Sequence, residues 1–476
     1  MDTDSARPAV TELRLSAFKA HRGVTLPLGP LTLLSGESGS GKSSALQAYE
    51  ILARLGSGEP LARAVGVVAG GASACVPAGA HPDQQGRRGF RIGCTVEGPA
   101  GPVQLDLAVQ AEPELRIVGE RLIGGGETLL TTALTDPTRP AVQAAWHTAG
   151  ATPVTRAPLP DDRLGTSLLP LRVAGKTAGQ RLVLAAAEQV VVALRSAFVC
   201  DPRPEAMRGP AVGAEDGSAA DGASGGGGSG RGSGSRTSAS GRSRKSGGPA
   251  AAGGPAGTRG RKAVRGGRDA SGWGSDADQG DEGRLRSSCD NLSAVLDRTS
   301  RECARRHAVL VAAVREACSG TVDGLRAVPR QPGPAAAGTA AAPVGAGDGG
   351  AAGARAAQTA QGPQALQAVL DRGALGEMPV EQLGDGELRF LALALVLLTG
   401  PGVLAMDPAG EIPSAQQQMT VMADGMDRCM DRRQARELVS LAVRMADRGH
   451  VRLLGTVRDP TVAEGLPGVQ VLHLGV

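Results

Sequence analysis

The sequence predicts an α/β protein whose chain is interrupted by a disordered insert. Three observations predict it. A short apolar run, Leu31–Leu34, leads into Gly36-Glu37-Ser38-Gly39-Ser40-Gly41-Lys42-Ser43, which fits G-x-x-x-x-G-K-[ST] at every fixed position. Beyond it Ala45, Ala48, Leu52 and Leu55 recur at helical spacing and Gly56 is placed to end the helix. Finally, the chain has 71 Gly, 31 Pro and only 1% aromatic residues among 476, so the part able to build a core is smaller than the length suggests.

The loop between that strand and that helix is a phosphate site. Its glycines let the backbone curl until several N–H groups point at one anion, and the helix N-terminus adds partial positive charge. Gly36, Glu37, Ser38, Gly39, Ser40, Gly41, Lys42, Ser43 and Ser44 are therefore the expected nucleotide-binding residues, with Lys42 reaching the β/γ-phosphates and the Ser43 hydroxyl holding Mg²⁺.

Before the loop, Glu12–Phe18 (ELRLSAF) alternates polar and apolar as a half-exposed strand, and Val24–Leu28 reads as a second. The whole stretch ELRLSAFKAHRGVTLPLGPLTLLSGESGSGKSSAL, with Phe18-Lys19 ahead of the second strand, resembles the N-terminus of SMC/RecF-like ATPases, the ABC-type branch of the P-loop AAA proteins. The resemblance implies a P-loop NTPase head with ABC/RecF-like topology, an antiparallel subsheet plus a parallel core sheet, that uses ATP and Mg²⁺.

Phe90–Val96, Val103–Val109 and Leu115–Ile123 are three further strands, separated by turns with Gly and Pro, and in the family such strands form the antiparallel sheet over the nucleotide. Glu120 falls where family members carry a glutamate after a strand, and Gln84 and Gln85 are weak matches to a glutamine that helps hold Mg²⁺. Ala178–Val199 reads as a helix, followed by CDPRPEAMR, which is similar to a phrase closing this region in the family. Residues 211–284 are Gly, Ser, Ala and Arg with almost no large apolar side chains, which predicts disorder. About ten Lys and Arg and no acid between Arg231 and Arg268 suit a flexible contact with DNA or another polyanion, and equally suit a soluble linker.

Cys289–Cys318 reads as one long helix capped by Asp290 or Asn291, its DNLSAVL opening resembling a family phrase, and Pro329–Gln361 as a second disordered stretch. Structure resumes near Ala365. A helix runs from LGDGE (383–387) to about Leu398, Val403–Met406 is a buried strand, Met419, Met422, Met426 and Met430 lie at helical spacing as a core stripe, and Arg433–Ala446, Val451–Leu454 and Val469–Leu474 give a helix and two strands. The domain reading is thus 10–204 and 365–476 as two halves of one head, with 205–284 an insert, 285–327 helical and 328–364 a linker.

Three more phrases extend the resemblance. LGDGE is similar to the ABC signature, commonly LSGGE, in which the signature helix of one protomer caps ATP bound by the other; Gly384 and Gly386 would contact phosphate, and Gly384 stands where serine is usual. VLAMD (403–407) resembles a Walker B strand whose Asp407 would hold Mg²⁺ opposite Ser43. The next residue, which in the family is the glutamate that activates the attacking water, is Pro408, and Glu411 is the nearest carboxylate. GTVRDP (455–460) stands at a Thr-His switch, with Thr456 matching and Val457 or Arg458 in place of histidine; Arg458 can offer positive charge to the γ-phosphate but cannot shuttle a proton.

Charge and composition exclude other classes. The net charge is only +4, no C-x-x-C pair occurs among the seven cysteines, and the longest apolar run, Leu391–Leu398, is too short to span a bilayer. The expectation is a cytoplasmic ATPase without a membrane partner, dimerising on ATP and slow because of Pro408; the alternative is a nucleotide-binding regulatory or scaffold module with little or no hydrolysis.

Overall fold

Alternation builds the first layer. In β1 (Ala9–Phe18) the side chains of Leu13, Leu15 and Phe18 are buried, and β2 (His21–Pro27) pairs antiparallel beside it. The computed structural model describes residues 7–148, 154–209, 284–318, 320–330, 366–400, 403–404, 418–449 and 451–475. The insert 210–283 and the linker 331–365 therefore lie outside the described residues, as do Asp407, Pro408 and Glu411.

After β3 (Leu31–Gly36) come α1 (Lys42–Gly56) and α2 (Leu61–Ala69). A meander follows: β4 (Arg88–Glu97), β5 (Val103–Glu112), β6 (Arg116–Gly124), β7 (Glu127–Ala133), β8 (Ala141–His147) and β9 (Val154–Pro160). With β1 and β2 these make an eight-stranded antiparallel sheet in the order β2-β1-β4-β5-β6-β7-β8-β9. Phe90, Ile92, Cys94 and Val96 on β4 and Val103, Leu105, Leu107 and Val109 on β5 share its buried face. Three of its strands, β7 to β9, were not anticipated. The short α3 (Gly165–Leu168) and α4 (Ala178–Arg195), opened by a Thr177–Gln180 capping box, follow the meander.

The rest of the N-terminal half is β10 (Ala197–Val199) and α5 (Pro204–Met207). Beyond the insert, the expected long helix is two, α6 (Leu292–Glu302) and α7 (Ala304–Ala317). No Gly or Pro marks the break. Cys303 is extended there, with φ −151° and ψ 85°, so that α6 rests on the small sheet of β11 (Gly324–Pro329), β12 (Leu366–Asp371) and β13 (Glu377–Pro379) while α7 turns toward later helices. Those are α8 (Asp385–Leu398) and, beyond β14 (Met419–Ala423), α9 (Arg432–Ala446). β15 (Val451–Thr456) and β16 (Val469–Leu474) complete the chain's elements.

The second sheet is parallel throughout, in the order β10-β14-β15-β3-β16. It takes β3 and β10 from before the insert and β14, β15 and β16 from after it, so the two halves form one sheet. Both faces are covered. Leu31 and Leu33 point into a core with α8 and α9, whereas Leu34, Met422 and Leu454 point into the core shared with α1, α4 and the antiparallel sheet. β14 and β15 are accordingly buried at every residue, as central parallel strands are. Arg452 on β15 is buried and donates to the Leu28 and Gly29 carbonyls at 2.7 and 2.9 Å, tying the parallel sheet to the end of β2; burial pulls its guanidinium below its usual pKa. The fold is the expected α/β arrangement, a parallel core sheet with an antiparallel subsheet.

The methionine stripe needs correction. Met419, Met422 and Met426 are buried, but Met419–Ala423 is a strand. A strand buried on both faces shows no alternation, so its spacing can mimic a helix. The expected strand at Val403–Met406 shows, at its described residues, one bridge from Leu404 to Leu285.

α8 is buried nearly all round, and its N-terminus docks tightly on the loop that follows β14. A Cβ on Gly386 would lie 2.1 Å from the Cys429 carbonyl oxygen, a backbone atom that cannot swing aside. Gly386→Ala is therefore expected to destabilise the protein by about 1–3 kcal/mol, as overpacking does, read as a lower urea midpoint with an unchanged m-value.

Candidate functional site

Strands that run parallel end on one edge, and their loops converge there. The loop after β3 carries Gly36–Gly41, the loop after β14 carries Asp424–Met430, and the loop after β15 carries Val457–Asp459. Together they line a cleft of about 630 Å³, walled by Gly36, Ser38, Gly39, Gly41, Lys42, Ser43, Ser44, Asp424, Gly425, Arg428, Thr456, Val457 and Arg458.

The loop after β3 turns on its glycines. Gly36, Gly39 and Gly41 adopt φ of 137°, 89° and 93°, where side chains are strained. Gly36 also passes so close to β16 that a Cβ would meet the Leu474 carbonyl at 2.3 Å, and one on Gly41 would meet the buried His21 ring at 2.5 Å. The His21 Nε2 hydrogen-bonds the Gly41 carbonyl at 3.0 Å. Beside Gly39, by contrast, no atom of the described residues other than its own chain neighbours lies within 4 Å of where a Cβ would be. Lys42 folds over the loop, its ammonium donating to the Gly36 and Glu37 carbonyls at 2.7 and 2.8 Å. α1 begins at Lys42 itself, so its first N–H groups open onto the cleft.

Opposite the loop is a carboxylate that the sequence reading did not single out. Asp424 follows directly on β14, two strands from β3, and its Oδ1 accepts a hydrogen bond from the Thr456 hydroxyl at 2.6 Å. That hydroxyl in turn accepts from the Gly425 N–H at 2.7 Å. The signal was present: Met-Thr-Val-Met-Ala-Asp-Gly has the same apolar-run-then-Asp form as Val403–Asp407, and the methionine spacing concealed it.

Other residues singled out from sequence fall elsewhere. Gln84 and Gln85 are exposed in the turn before β4 and do not line the cleft. Glu120 is buried, where its carboxylate accepts from the Gly165 and Thr166 N–H groups at 2.7 Å each and so caps α3. Burial pushes its pKa up while those bonds oppose the shift. The 383–387 segment opens α8 as expected but lines no part of this cleft. There Asp385 pairs with Arg208 at 2.6 Å, and Glu387 accepts from the Gly384 N–H at 3.3 Å. Further along α8, buried Arg389 donates to the Pro202, Asp424 and Gly425 carbonyls at 2.7, 3.3 and 3.4 Å. The helix is thereby fastened to the base of the Asp424 loop.

Among the described residues, no helix is long and apolar enough to cross a membrane.

No family model matches the chain, and no curated protein matches it. Among solved structures it is similar to an SMC head bound to the C-terminal winged-helix domain of ScpA, at 10% identity and a TM-score of 0.41, over 95% of this chain and 91% of that one. It is also similar to an Smc head with an extended coiled coil bound to the C-terminal domain of ScpA, from Pyrococcus furiosus, at 10% identity and 0.40, over 96% and 91%. A third is the SMC head domain from Thermotoga maritima, at 10% identity and 0.35, over 97% and 94%. The fold assignment rests on the strand order and loop geometry above.

Removing the Thr456 hydroxyl would leave the Gly425 N–H without its acceptor and Asp424 without its donor. Thr456→Val is expected to cost about 1–2 kcal/mol of stability, measured by chemical denaturation at neutral pH, with the Thr456→Ser protein close to wild type.

Proposed function

We propose that the chain is an ATPase head that binds MgATP in this cleft, closes with a second copy on ATP, and turns over slowly. The observation that carries the reading is the meeting of Lys42 and Ser43 with Asp424 across one cleft at the C-terminal edge of a parallel sheet. The residues suit the group. Three glycines hold the loop open in positive-φ conformations, the space beside Gly39 is open among the described residues, and an ammonium stands at the helix start. Lys42 would exchange its two carbonyl acceptors for phosphate oxygens. Ser43 and Asp424 would hold Mg²⁺, and Thr456 would keep the Asp424 carboxylate in one orientation. When bound, Mg²⁺ supplies positive charge to the phosphates undergoing transfer.

The same geometry supports slow chemistry. The residue after Asp424 is Gly425, which has no side chain to take a proton from water. Asp427 comes next among carboxylates, but its Oδ2 accepts from the Arg458 and Asp459 N–H groups at 2.7 and 2.9 Å. A positioned general base is worth about 10²–10⁴-fold. A regulatory module that binds nucleotide and barely hydrolyses it is the second reading, favoured by this missing carboxylate. The sequence reading gives the Mg²⁺ role to Asp407 and the base to Glu411; the proposal assigns the first to Asp424 and leaves the second without a holder.

Dimerisation is proposed because the 383–387 segment lies off its own cleft, so Gly384 and the α8 N-terminus could cap only the phosphates of another copy.

Binding of a fluorescent ATP analogue is expected to vanish in Lys42→Ala. Asp424→Asn should lose the Mg²⁺ dependence of binding while Asp407→Asn keeps it, and the reverse pattern would return the role to Asp407. Phosphate release at saturating MgATP should fall about 10²-fold or more below the usual enzymatic range of about 1–10³ s⁻¹, and Glu411→Gln should leave it unchanged. Light scattering should show a dimer with a non-hydrolysable analogue and a monomer without it. Turnover within the usual range, reduced by Glu411→Gln, would restore Glu411 as the base.

A further inference from the structure

The cleft carries more positive charge than a phosphate loop requires. Lys42, Arg428 and Arg458 face it against the single carboxylate of Asp424. Lys42 belongs to the loop itself. Arg428 and Arg458 come from the two loops across from it, after β14 and β15, and both side chains are exposed. Among the described residues, arginines elsewhere are in part engaged, and those such as Arg121 and Arg156 that have no carboxylate or carbonyl partner lie off the cleft. Arg14, Arg54, Arg88 and Arg116 are all ion-paired to carboxylates, and Arg389 and Arg452 are buried on carbonyl oxygens. Among the described residues, the guanidiniums of Arg428 and Arg458 have neither kind of partner.

The two arginines are held by one clasp. Asp427, the residue beside Arg428, turns its carboxylate onto the neighbouring loop, where Oδ2 accepts from the backbone N–H of Arg458 at 2.7 Å and of Asp459 at 2.9 Å. Asp459 in turn caps its own loop by accepting from the Thr461 N–H at 3.0 Å. The Arg428 N–H donates to the Gly425 carbonyl at 3.0 Å, which closes a tight turn directly after Asp424. The backbones carrying Arg428 and Arg458 are therefore fixed relative to each other and to Asp424, while both side chains stay free to reach a ligand. Two guanidiniums that line one cleft favour an anion bearing more than one negative charge there, and the Asp427 carboxylate is already engaged on backbone N–H groups.

We propose that Arg428 and Arg458 together select a nucleoside triphosphate over the diphosphate by binding its terminal phosphate. This rests on the nucleotide reading of the cleft and deepens it. The phosphate loop and Lys42 hold the phosphates that a diphosphate and a triphosphate share. The loops after β14 and β15 stand across the cleft, where only a third phosphate extends the ligand toward them. The arginines are specificity residues. Guanidinium cannot serve as a general base, so they favour occupancy of the triphosphate state without supplying the group missing at Gly425.

The test compares the affinities of a non-hydrolysable ATP analogue and of ADP, each with Mg²⁺, by titration calorimetry on the full chain. The proteins are wild type, Arg428→Gln, Arg458→Gln and the double variant. Both side chains are exposed and unpaired, so all four should unfold at similar temperatures. The wild type should prefer the triphosphate. Each single substitution should lower the ratio of the two affinities by about five- to tenfold, and the double variant should nearly abolish it, while ADP affinity stays within about twofold throughout. Raising the salt concentration should shrink the wild-type preference and leave the double variant's unchanged. Asp427→Asn, which loosens the clasp, should lower the ratio with both arginines present. A double variant that binds both nucleotides with the wild-type ratio would overturn this inference and leave the nucleotide reading intact. A wild type that binds neither would overturn both.

Discussion

Every feature of the cleft depends on β3 being paired on both sides by strands from the far end of the chain. β15 fixes Leu31–Leu34 on one side and β16 fixes Leu31–Gly36 on the other. A parallel pair cannot be closed by a tight turn, so each contact carries a long crossover with it. The pairing is what sets the C-terminal ends of β3, β15 and β14 side by side. It also brings Leu474 against Gly36, which leaves that position to glycine. The phosphate loop, although contiguous in sequence, thus takes its shape from residues more than four hundred positions away.

The sequence was most legible where local chemistry alone determines the backbone. Gly36–Ser43 could be read because glycines at those spacings serve one geometry, and the half-exposed strands could be read because alternation records a sheet with one wet face. Legibility failed where burial is complete. β14 is apolar on both faces, and its methionines fell by chance at helical spacing, so Asp424 passed unnoticed while the similar phrase ending in Asp407 drew the assignment. Thr420 and Val421 between the methionines, and the Asp424-Gly425 turn after only five strand residues, are the cues that would have identified a strand. The break between α6 and α7 left no mark in the sequence, because packing on two different partners produces it rather than a helix-breaking residue.

α8 shows how a motif-like phrase can hold two roles in one helix turn. The close approach at Gly386 and the buried Arg389 fasten the helix to the loop bearing Asp424, Gly425 and Arg428. Gly384 remains exposed at the tip, and Asp385 is engaged by Arg208. A force on the helix tip would therefore be felt at the Asp424 loop through backbone contacts, without a flexible linker between them.

The contact between Gly36 and Leu474 also places the site in time. A ribosome adds about 5–20 residues per second, so Leu474 leaves it roughly 20–90 seconds after Gly36. The glycine loop leaves the ribosome early, as an isolated strand and helix start without neighbours. β16, the strand that crowds Gly36, follows more than four hundred residues later. Until it arrives, the nascent chain has the whole glycine-rich sequence without the contact that shapes it. The loop's final shape is therefore set by a strand translated long after the loop itself.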